Sequence, residues 1–266
     1  MSGAGSKQRS TSPDYVQSLA RGLAVVKSFS PTAIELSASD VANRTGLARP
    51  TARRLLLTLE QLGYVRAIDG RFTLTAKSLE LGTSYVAALG IWDVARPHLE
   101  QLVAATGESS SMSQLDGSDI VCIARVGVPK IIAFSVHVGT RFPAAVTAPG
   151  KVLLADQPVD QLAGILAIPT RSDAEPTETI SITRLKAQLI EIRRQGWALV
   201  DEELSRGLRA IAAPITDVDG RTIAAINTPT HAAETSIDRL LGEFLPQLVA
   251  TAKAISTDWS SRTAAN

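Results

Sequence analysis

The chain has 266 residues, with 27 Lys and Arg against 26 Asp and Glu and a formal net charge of +1. Hydrophobic residues make up 45% of it, which excludes disorder over the whole chain, and the length favours two domains of ~100–150 residues. The single cysteine excludes a disulfide framework, and no apolar run approaches the ~20 residues of a membrane-spanning helix. A cytoplasmic protein without membrane association is therefore expected.

The charge is unevenly distributed along the chain. Residues 1–75 contain ten basic and five acidic residues, a formal charge of +5, whereas the remaining 191 contain 17 basic and 21 acidic residues, a charge of −4. A basic segment ahead of a mildly acidic one predicts a polyanion-binding domain followed by a domain with another task. Residues 1–13 are rich in Ser and Gly and lack an apolar stretch, so a disordered tail is predicted there and not a signal peptide.

The first predicted element is an amphipathic helix between Tyr15 and Ser30. Apolar residues recur there at three- and four-residue spacing, which places them on one stripe of a helix. The stripe contains Val16, Leu19, Leu23, Val26 and Phe29. This spacing predicts the first helix of the segment.

Two further helices follow, joined by a short turn. Ser37 and Asp40 have the spacing of a capping box, which predicts a short helix that ends at Gly46. The third helix is predicted from about Arg49 to Gln61, with Pro50 in its first turn, where a missing N–H costs little. Two helices joined by a Gly-containing turn form a helix-turn-helix, whose second helix enters the DNA major groove.

Residues 64–74 alternate apolar and polar side chains around Asp69-Gly70, which predicts a β-hairpin wing. A winged helix-turn-helix DNA-binding domain is therefore predicted over residues 14–75. The candidate DNA contacts lie at the start of the third helix and on the wing. They are Arg49, Thr51, Arg53, Arg54, Arg66 and Arg71. The alternative is a packing or dimerisation domain whose arginines are only solvated.

A linker helix is predicted over residues 76–90, followed by a second helix to about Thr106 in which Pro97 marks a kink or a first turn. Groups of strand-like runs and helical segments then follow each other. The strands are predicted over 109–115, 119–126, 131–138, 197–202, 208–216 and 221–228, and the helices over 151–155, 159–166, 183–195 and 237–257. This grouping predicts an α+β fold for residues 91–266.

Five segments together resemble one family. They are residues 15–26, 36–47, 51–65, 142–155 and 196–214, which include TAPGK at 147–151 and DEELSRG at 201–207. Over nearly its whole length the chain resembles the IclR family of bacterial transcriptional regulators, and it looks most like the PcaR/PobR-like branch, which serves aromatic-acid and β-ketoadipate catabolism. The resemblance implies a GAF-like effector-binding fold for residues 91–266 and a dimer contact on the linker helix.

The resemblance also implies where an effector binds. Ala148 and Gly150 correspond to backbone donors, and the wall of the pocket corresponds to Phe134, Phe142, Val200, Leu208, Ala210, Asn227 and Pro229. Family members that bind small keto-acids present an Asp, a Cys and two serines where this chain has Val200, Ala210, Asn227 and Pro229. The pocket is thus more apolar, which predicts an aromatic or longer-chain acid, including a dicarboxylic one, in preference to glyoxylate or pyruvate.

The residues themselves support an anion site. Pro149 at the start of a helix leaves the neighbouring N–H groups unpaired, and such helix N-termini receive carboxylates, although Gly150 has the alternative role of permitting tight packing. Strand alternation places Asn227 on the face of Ile223 and Ala225. It also places Arg125 on the face of Val121 and Ile123, where it is a candidate carboxylate partner or, alternatively, a member of an internal salt bridge.

Enzymatic motifs are missing from the sequence: there is no nucleophile elbow, zinc-protease motif, phosphate loop or dinucleotide fingerprint. No cofactor or metal is therefore predicted. Cys122 is interpreted as a buried thiol, with a redox role as the alternative. Asp201-Glu202-Glu203 is interpreted as a strand end and a solvated turn in preference to a catalytic cluster.

The leading hypothesis is a transcriptional regulator that binds a double-stranded DNA operator as a homodimer or a dimer of dimers and responds to a small organic acid. One alternative is an enzyme acting on such an acid with a tethering head, and another is an architectural protein without a ligand.

Overall fold

The computed structural model describes residues 14–30, 32–82, 90–129, 136–177 and 180–264. Several predicted features lie outside these residues: the tail over 1–13, residues 83–89 of the linker helix, Phe134, and most of the strand over 131–138. The chain divides into two compact units, Met1–Ala88 and Leu89–Asn266.

The described part of the first unit has the predicted winged helix-turn-helix architecture. Its helices are α1 (Gln17–Lys27), α2 (Ala38–Thr45) and α3 (Arg49–Gln61), and its strands are β1 (Glu35–Ser37), β2 (Val65–Ile68) and β3 (Arg71–Leu74). The antiparallel sheet has the order β1-β3-β2. After the wing, Ala76–Leu79 form a 3-10 turn, and residues 80–82 are helical.

Local sequence signals account for the ends of these elements. The capping box at α2 is confirmed, because Ser37 Oγ accepts from the Asp40 amide at 3.2 Å and Asp40 Oδ2 accepts from the Ser37 amide at 2.9 Å. Gly46 ends α2 in the left-handed region with φ 67°. The hairpin turn is also confirmed, since Asp69 and Gly70 have φ values of 50° and 77°, as a type I′ turn requires.

Two features of the first unit were not predicted from the sequence. Strand β1 was not predicted, because three residues are too few to show an alternation. The second is the buried side of α1, a helix that itself is confirmed: the side chains of Leu19 and Leu23 in the apolar stripe are 62% and 49% exposed, while Val25 outside the stripe is fully buried. Two apolar lines run along this helix, and spacing alone does not show which of them faces the core.

The second unit is built on a six-stranded antiparallel sheet with the order β6-β5-β4-β9-β8-β7. The strands are β4 (Ser110–Asp116), β5 (Asp119–Val126), β6 (Arg141–Pro143), β7 (Ala198–Asp201), β8 (Leu208–Thr216) and β9 (Thr222–His231). The predicted strand runs at 109–115, 119–126, 197–202, 208–216 and 221–228 are thus confirmed with small shifts in their ends.

Helices cover both faces of this sheet. On one face α4 (Ile91–Thr106) and α9 (Leu245–Ala264) enclose a core that includes Leu99, Met112 and Leu248; α8 (Ile237–Arg239) leads into α9 through a π-helical turn, Leu240–Phe244. On the other face lie α5 (Ala148–Ala155), α6 (Leu162–Ala167) and α7 (Ile182–Gln195). The α+β prediction is confirmed. Among the described residues, no helix combines the length and apolarity needed to cross a membrane.

Candidate functional site

A cavity of about 350 Å3 lies in the second unit, on the face of the sheet that α5 to α7 cover. Its floor is formed by strands β4, β5, β8 and β9, and the first turn of α5 forms one wall. A segment without regular structure, residues 170–177 (the strap), contributes Ala174 and Glu175. The loop of residues 202–207 contributes Leu204 and Ser205. A concave, mainly apolar space with a few polar groups is typical of small-molecule sites.

A polar row crosses three adjacent strands in the floor of the cavity. Ser111 of β4 pairs directly with Arg125 of β5 on one side and with Asn227 of β9 on the other, and all three side chains line the cavity. Arg125 Nη1 donates to Ser111 Oγ at 3.1 Å. The row therefore presents a guanidinium, a hydroxyl and an amide side by side, a set of groups suited to a carboxylate.

A β-bulge turns Arg125 toward the cavity. Met112 pairs with Ala124 and Ser113 pairs with Cys122, so Ile123 is an extra residue in β5. The predicted alternation, which put Arg125 on the face of Ile123, is therefore wrong: Ile123 is buried in the core under α4 and α9, whereas Arg125 shares the cavity face with Cys122. Bulges change the direction of side chains in this way, and no sequence period announces them.

A second bulge corrects the prediction for β9. Ile215 pairs with Ala224 and Thr216 with Thr222, so Ile223 is the extra residue. Ile223 consequently packs against the core under α4 and α9, and it does not share a face with Asn227, whereas Ala225 does lie on the cavity side.

The Arg125 guanidinium is half-buried, and this burial lowers its pKa, since a charge is disfavoured where water is excluded. Within the described parts of the chain, no carboxylate lies at ion-pair distance from it. The internal salt bridge that was its alternative role is not formed there. Cys122 also lines the cavity; its thiol is buried, which raises its pKa and disfavours the reactive thiolate.

The start of α5 differs from the expectation at one residue. Thr147 caps the helix, and its Oγ1 accepts from the Gly150 amide at 3.2 Å. Gly150 does not line the cavity, and a Cβ at this position would lie 2.2 Å from the carbonyl oxygen of Ala144. Its alternative role, tight packing, is therefore the one that the structure supports. Ala148 lines the cavity, and among the described residues no acceptor for its amide N–H is found.

The other predicted pocket residues converge on the cavity, except Phe134, which lies outside the described residues. Val200, Ala210 and Pro229 pair across β7, β8 and β9 in one row. Those that line the cavity are Arg125, Phe142, Ala148, Val200, Leu208, Ala210, Asn227 and Pro229. Reasoning from the sequence did not select Ser111, Ser113, Ile120, Val136, Val146, Ala174, Glu175, Leu204 and Ser205, which also line it. The alternation of Ser111 and Ser113 in a strand was the one available signal for the serines.

The acidic run after β7 was interpreted as a strand end and a solvated turn, and this interpretation is wrong for its third residue. Asp201 pairs with Arg209 on the neighbouring strand at 2.5 Å, and Glu202 accepts from the Gly207 amide at 2.8 Å. Glu203 is buried and forms an ion pair with Lys151 of α5. In the described residues, no three His, Cys, Asp or Glu side chains are grouped as metal ligands.

The candidate DNA contacts lie on the surface of the first unit. Arg49, Arg53 and Arg54 are exposed on the first turns of α3, Arg66 is exposed on β2, and Thr51 is half-buried. Arg71 is held within the unit: its Nη2 donates to the Glu35 carbonyl at 3.0 Å, and its guanidinium lies 3.9 Å from the Glu35 carboxylate. The structure thus leaves the arginines of α3 and Arg66 outside the described ion pairs, but ties Arg71 to β1.

A winged helix-turn-helix unit together with a unit that contains an arginine-lined cavity defines a ligand-responsive transcriptional regulator. The chain matches the IclR helix-turn-helix domain over residues 18–69 and the C-terminal domain of bacterial transcriptional regulator IclR over residues 83–257. It therefore belongs to the IclR family of transcriptional regulators.

Individual relatives agree with the predicted branch. The Pca regulon regulatory protein of Pseudomonas putida is 37% identical over 246 residues, which cover 91% of this chain and 83% of that protein. A crystal structure from Rhodococcus sp. RHA1, described as a transcriptional regulator, is 45% identical, with a TM-score of 0.80 and coverage of 93% and 99%. The inducer-binding domain of a PobR double mutant from Acinetobacter, in complex with 3-hydroxybenzoic acid, is 30% identical, with a TM-score of 0.55 and coverage of 62% and 96%.

Proposed function

We propose that this regulator binds an aromatic carboxylic acid in the cavity of its second unit and that the acid changes the affinity of the first unit for an operator. The observation that carries the proposal is Arg125, a half-buried cation that faces the cavity and has no carboxylate at ion-pair distance among the described residues. A ligand carboxylate would form charge-assisted hydrogen bonds with Arg125 and recover part of the free energy lost on burial.

The rest of the cavity favours an aromatic body over a short keto-acid. Phe142, Val200, Leu204 and Pro229 give it an apolar wall, which suits a ring better than a polar chain. The PobR domain that holds 3-hydroxybenzoic acid is a relative of this second unit, which supports the same class of ligand here.

Operator binding is assigned to the first unit, residues 14–75. Arg49, Thr51, Arg53 and Arg54 would contact the major groove, and Arg66 would contact the backbone beside the wing. Arg71, which is bound to β1, would act there chiefly by holding the wing in place. No cofactor is required for this function.

A homodimer or a dimer of dimers in the cytoplasm is proposed as the binding form. Exposed apolar side chains on the first unit support self-association. They are Leu19 and Leu23 on α1, and Leu79 and Leu81, which follow the wing in the sequence. The acid would act by binding one arrangement of this assembly more tightly than another, since a ligand shifts an equilibrium only by its differential affinity.

The test is titration calorimetry of the full chain with benzoate and its hydroxy derivatives. Removing a charged hydrogen-bond partner costs ~1.5–3 kcal/mol, so Arg125→Met should weaken binding by about 10- to 100-fold. Arg194→Met is the control, because Arg194 is an exposed arginine of α7 that pairs only with its neighbour Glu191 among the described residues. Unchanged affinity of Arg125→Met would contradict the proposal, and conversion of the acid during incubation would favour an enzyme.

A further inference from the structure

A buried ion pair lies directly behind the cavity. Lys151 Nζ is 2.6 Å from both carboxylate oxygens of Glu203. The exposed fractions of the two side chains are 1% and 9%, so the pair is nearly free of solvent. Neither residue lines the cavity, and the proposed binding of an acid does not involve them.

Each partner belongs to a different wall of the cavity. Lys151 stands in α5 immediately after the first turn, whose Thr147, Ala148 and Pro149 line the cavity. Glu203 directly precedes Leu204 and Ser205, which line it from the loop of residues 202–207. Leu204 and Ser205 are joined to Glu203 through the backbone and move with it. The distance between Lys151 Nζ and the Glu203 carboxylate therefore sets the distance between these two walls.

The strap is hydrogen-bonded to the same residue, Glu203. The Glu203 carbonyl accepts from the Thr177 amide at 3.1 Å, and the strap carries Ala174 and Glu175 into the cavity wall. At its other end the strap is held by buried Asp119, which accepts from Thr170 Oγ1 at 2.5 Å and from the Arg171 amide at 2.7 Å. Three walls therefore meet at Glu203.

Stability alone does not account for such a pair. Two charges lose their hydration on burial, and well-packed apolar side chains of similar volume often stabilise a protein as much or more. Unlike an apolar contact, a hydrogen-bonded ion pair is directional. The Lys151 ammonium lies equally close to both oxygens of Glu203, which fixes the carboxylate in distance and in orientation.

We propose that Lys151 and Glu203 are positioning residues that hold α5, the 202–207 loop and the strap together, and so keep the effector cavity closed to its observed width. The pair thereby limits which acids fit and how often the cavity opens. This inference rests on the proposed function for the choice of ligand, but the opening of the cavity is measurable without any ligand.

Cys122 is the natural probe, because it is the single cysteine of the chain and lines the cavity in a buried position. We would measure its rate of labelling by a disulfide reagent in the full, unliganded chain. The double substitution Lys151→Met with Glu203→Leu replaces the pair by apolar side chains of similar size. The matched control is Arg194→Met with Glu191→Leu, which removes an exposed pair of α7 in the same unit.

The expected result is labelling at least about tenfold faster in the Lys151/Glu203 variant, in excess of the rate that its global unfolding equilibrium predicts, and the wild-type rate in the control. If the buried variant folds poorly, Glu203→Gln, which keeps the shape of the side chain, is compared in the same way. Labelling no faster than global unfolding predicts would overturn the proposal, since a merely structural pair acts only through stability.

A ligand experiment separates this inference from the function on which it rests. Benzoate should slow the labelling of wild-type Cys122 and should bind the Lys151/Glu203 variant with at least about tenfold lower affinity, with a shifted preference toward 2-naphthoate. If the variant binds benzoate with the wild-type affinity and ranks the acids in the wild-type order, the positioning role is contradicted, but the proposed effector is not. Absence of protection in the wild type contradicts the proposed effector and leaves the labelling comparison of the unliganded proteins intact.

Discussion

Gly150 shows how one residue determines the packing at the start of α5. A Cβ at this position would lie 2.4 Å from Ala144 Cα and 2.5 Å from Thr147 Oγ1, so any side chain forces α5 away from the turn before it. Part of this role was foreseen, since tight packing was the alternative to a donor role. The sequence alone leaves the two roles open, because only the fold brings Thr147 Oγ1 to the Gly150 amide and so occupies it.

Gly150→Ala should therefore destabilise the second unit by about 1–3 kcal/mol, the usual cost of overpacking. Gly164→Ala is the matched control: Gly164 lies in α6, and a Cβ there meets nothing within 4 Å. The control should be neutral or stabilising by up to ~1 kcal/mol, because Ala is the better helix former. Urea unfolding monitored by circular dichroism gives both values, and equal midpoints for the two variants would contradict the packing role.

At the level of elements, the sequence signals for helix ends and turns were more informative than the periodicity of apolar residues. The capping box of α2, its glycine end and the Asp-Gly hairpin all formed where the sequence placed them, because each depends on a few adjacent residues. The buried face of α1 was not predicted, and the sides of β5 and β9 were predicted wrongly. Those features depend on tertiary packing and on bulges, which add one residue to a strand without a local sequence signal.

The capping box also predicts a pH dependence. Hydrogen bonds from the Ser37 amide and hydroxyl lower the pKa of Asp40 below its usual value of 3.8. A carboxyl group whose pKa is lower in the folded than in the unfolded state stabilises the fold. This stabilisation is fully present above the pKa of the unfolded state and is lost as the pH falls through the pKa of the folded state. Asp40→Asn should therefore lower the urea midpoint of the first unit near neutral pH.

The difference from the wild type should shrink steadily as the pH falls below about 4. The control is Asp69→Asn in the hairpin turn, where Asn also accepts the left-handed backbone. A gap between wild type and Asp40→Asn that is constant over this range would show that the carboxylate does not carry the effect.

For the molecule as a whole, the uneven charge of the sequence corresponds to a division of labour between two compact units. The net charge of +1 combines +5 in residues 1–75 with −4 in the rest. Under the proposed function, the acidic second unit should reduce nonspecific adhesion to nucleic acid, and the arginines of the first unit would supply the phosphate contacts. The fold class and the family followed from the sequence at this scale, because many weak signals over the whole chain agreed.

Arg53→Ala is expected to weaken operator binding by at least ~1 kcal/mol. A phosphate contact would also reduce the slope of log K against log salt by about one, whereas a base contact would relax the sequence preference. The measurement is a gel-shift titration of the full chain, at fixed salt and over a salt series, on DNA selected by the wild-type protein. Arg194→Ala is the control from the second unit, and unchanged affinity of Arg53→Ala would remove Arg53 from the interface.

The bulge at Ile123 also bears on how this strand can evolve and be aligned. Since Cys122, Ala124 and Arg125 already pair in register with Ser113, Met112 and Ser111, a one-residue deletion at position 123 would leave the arginine facing the cavity. Such a deletion would remove one buried side chain from the opposite core. Homologous sequences that are one residue shorter here should carry their gap at this position, because a gap placed in the preceding turn would assign the residues before the bulge, including the counterpart of Cys122, to the wrong side of the sheet.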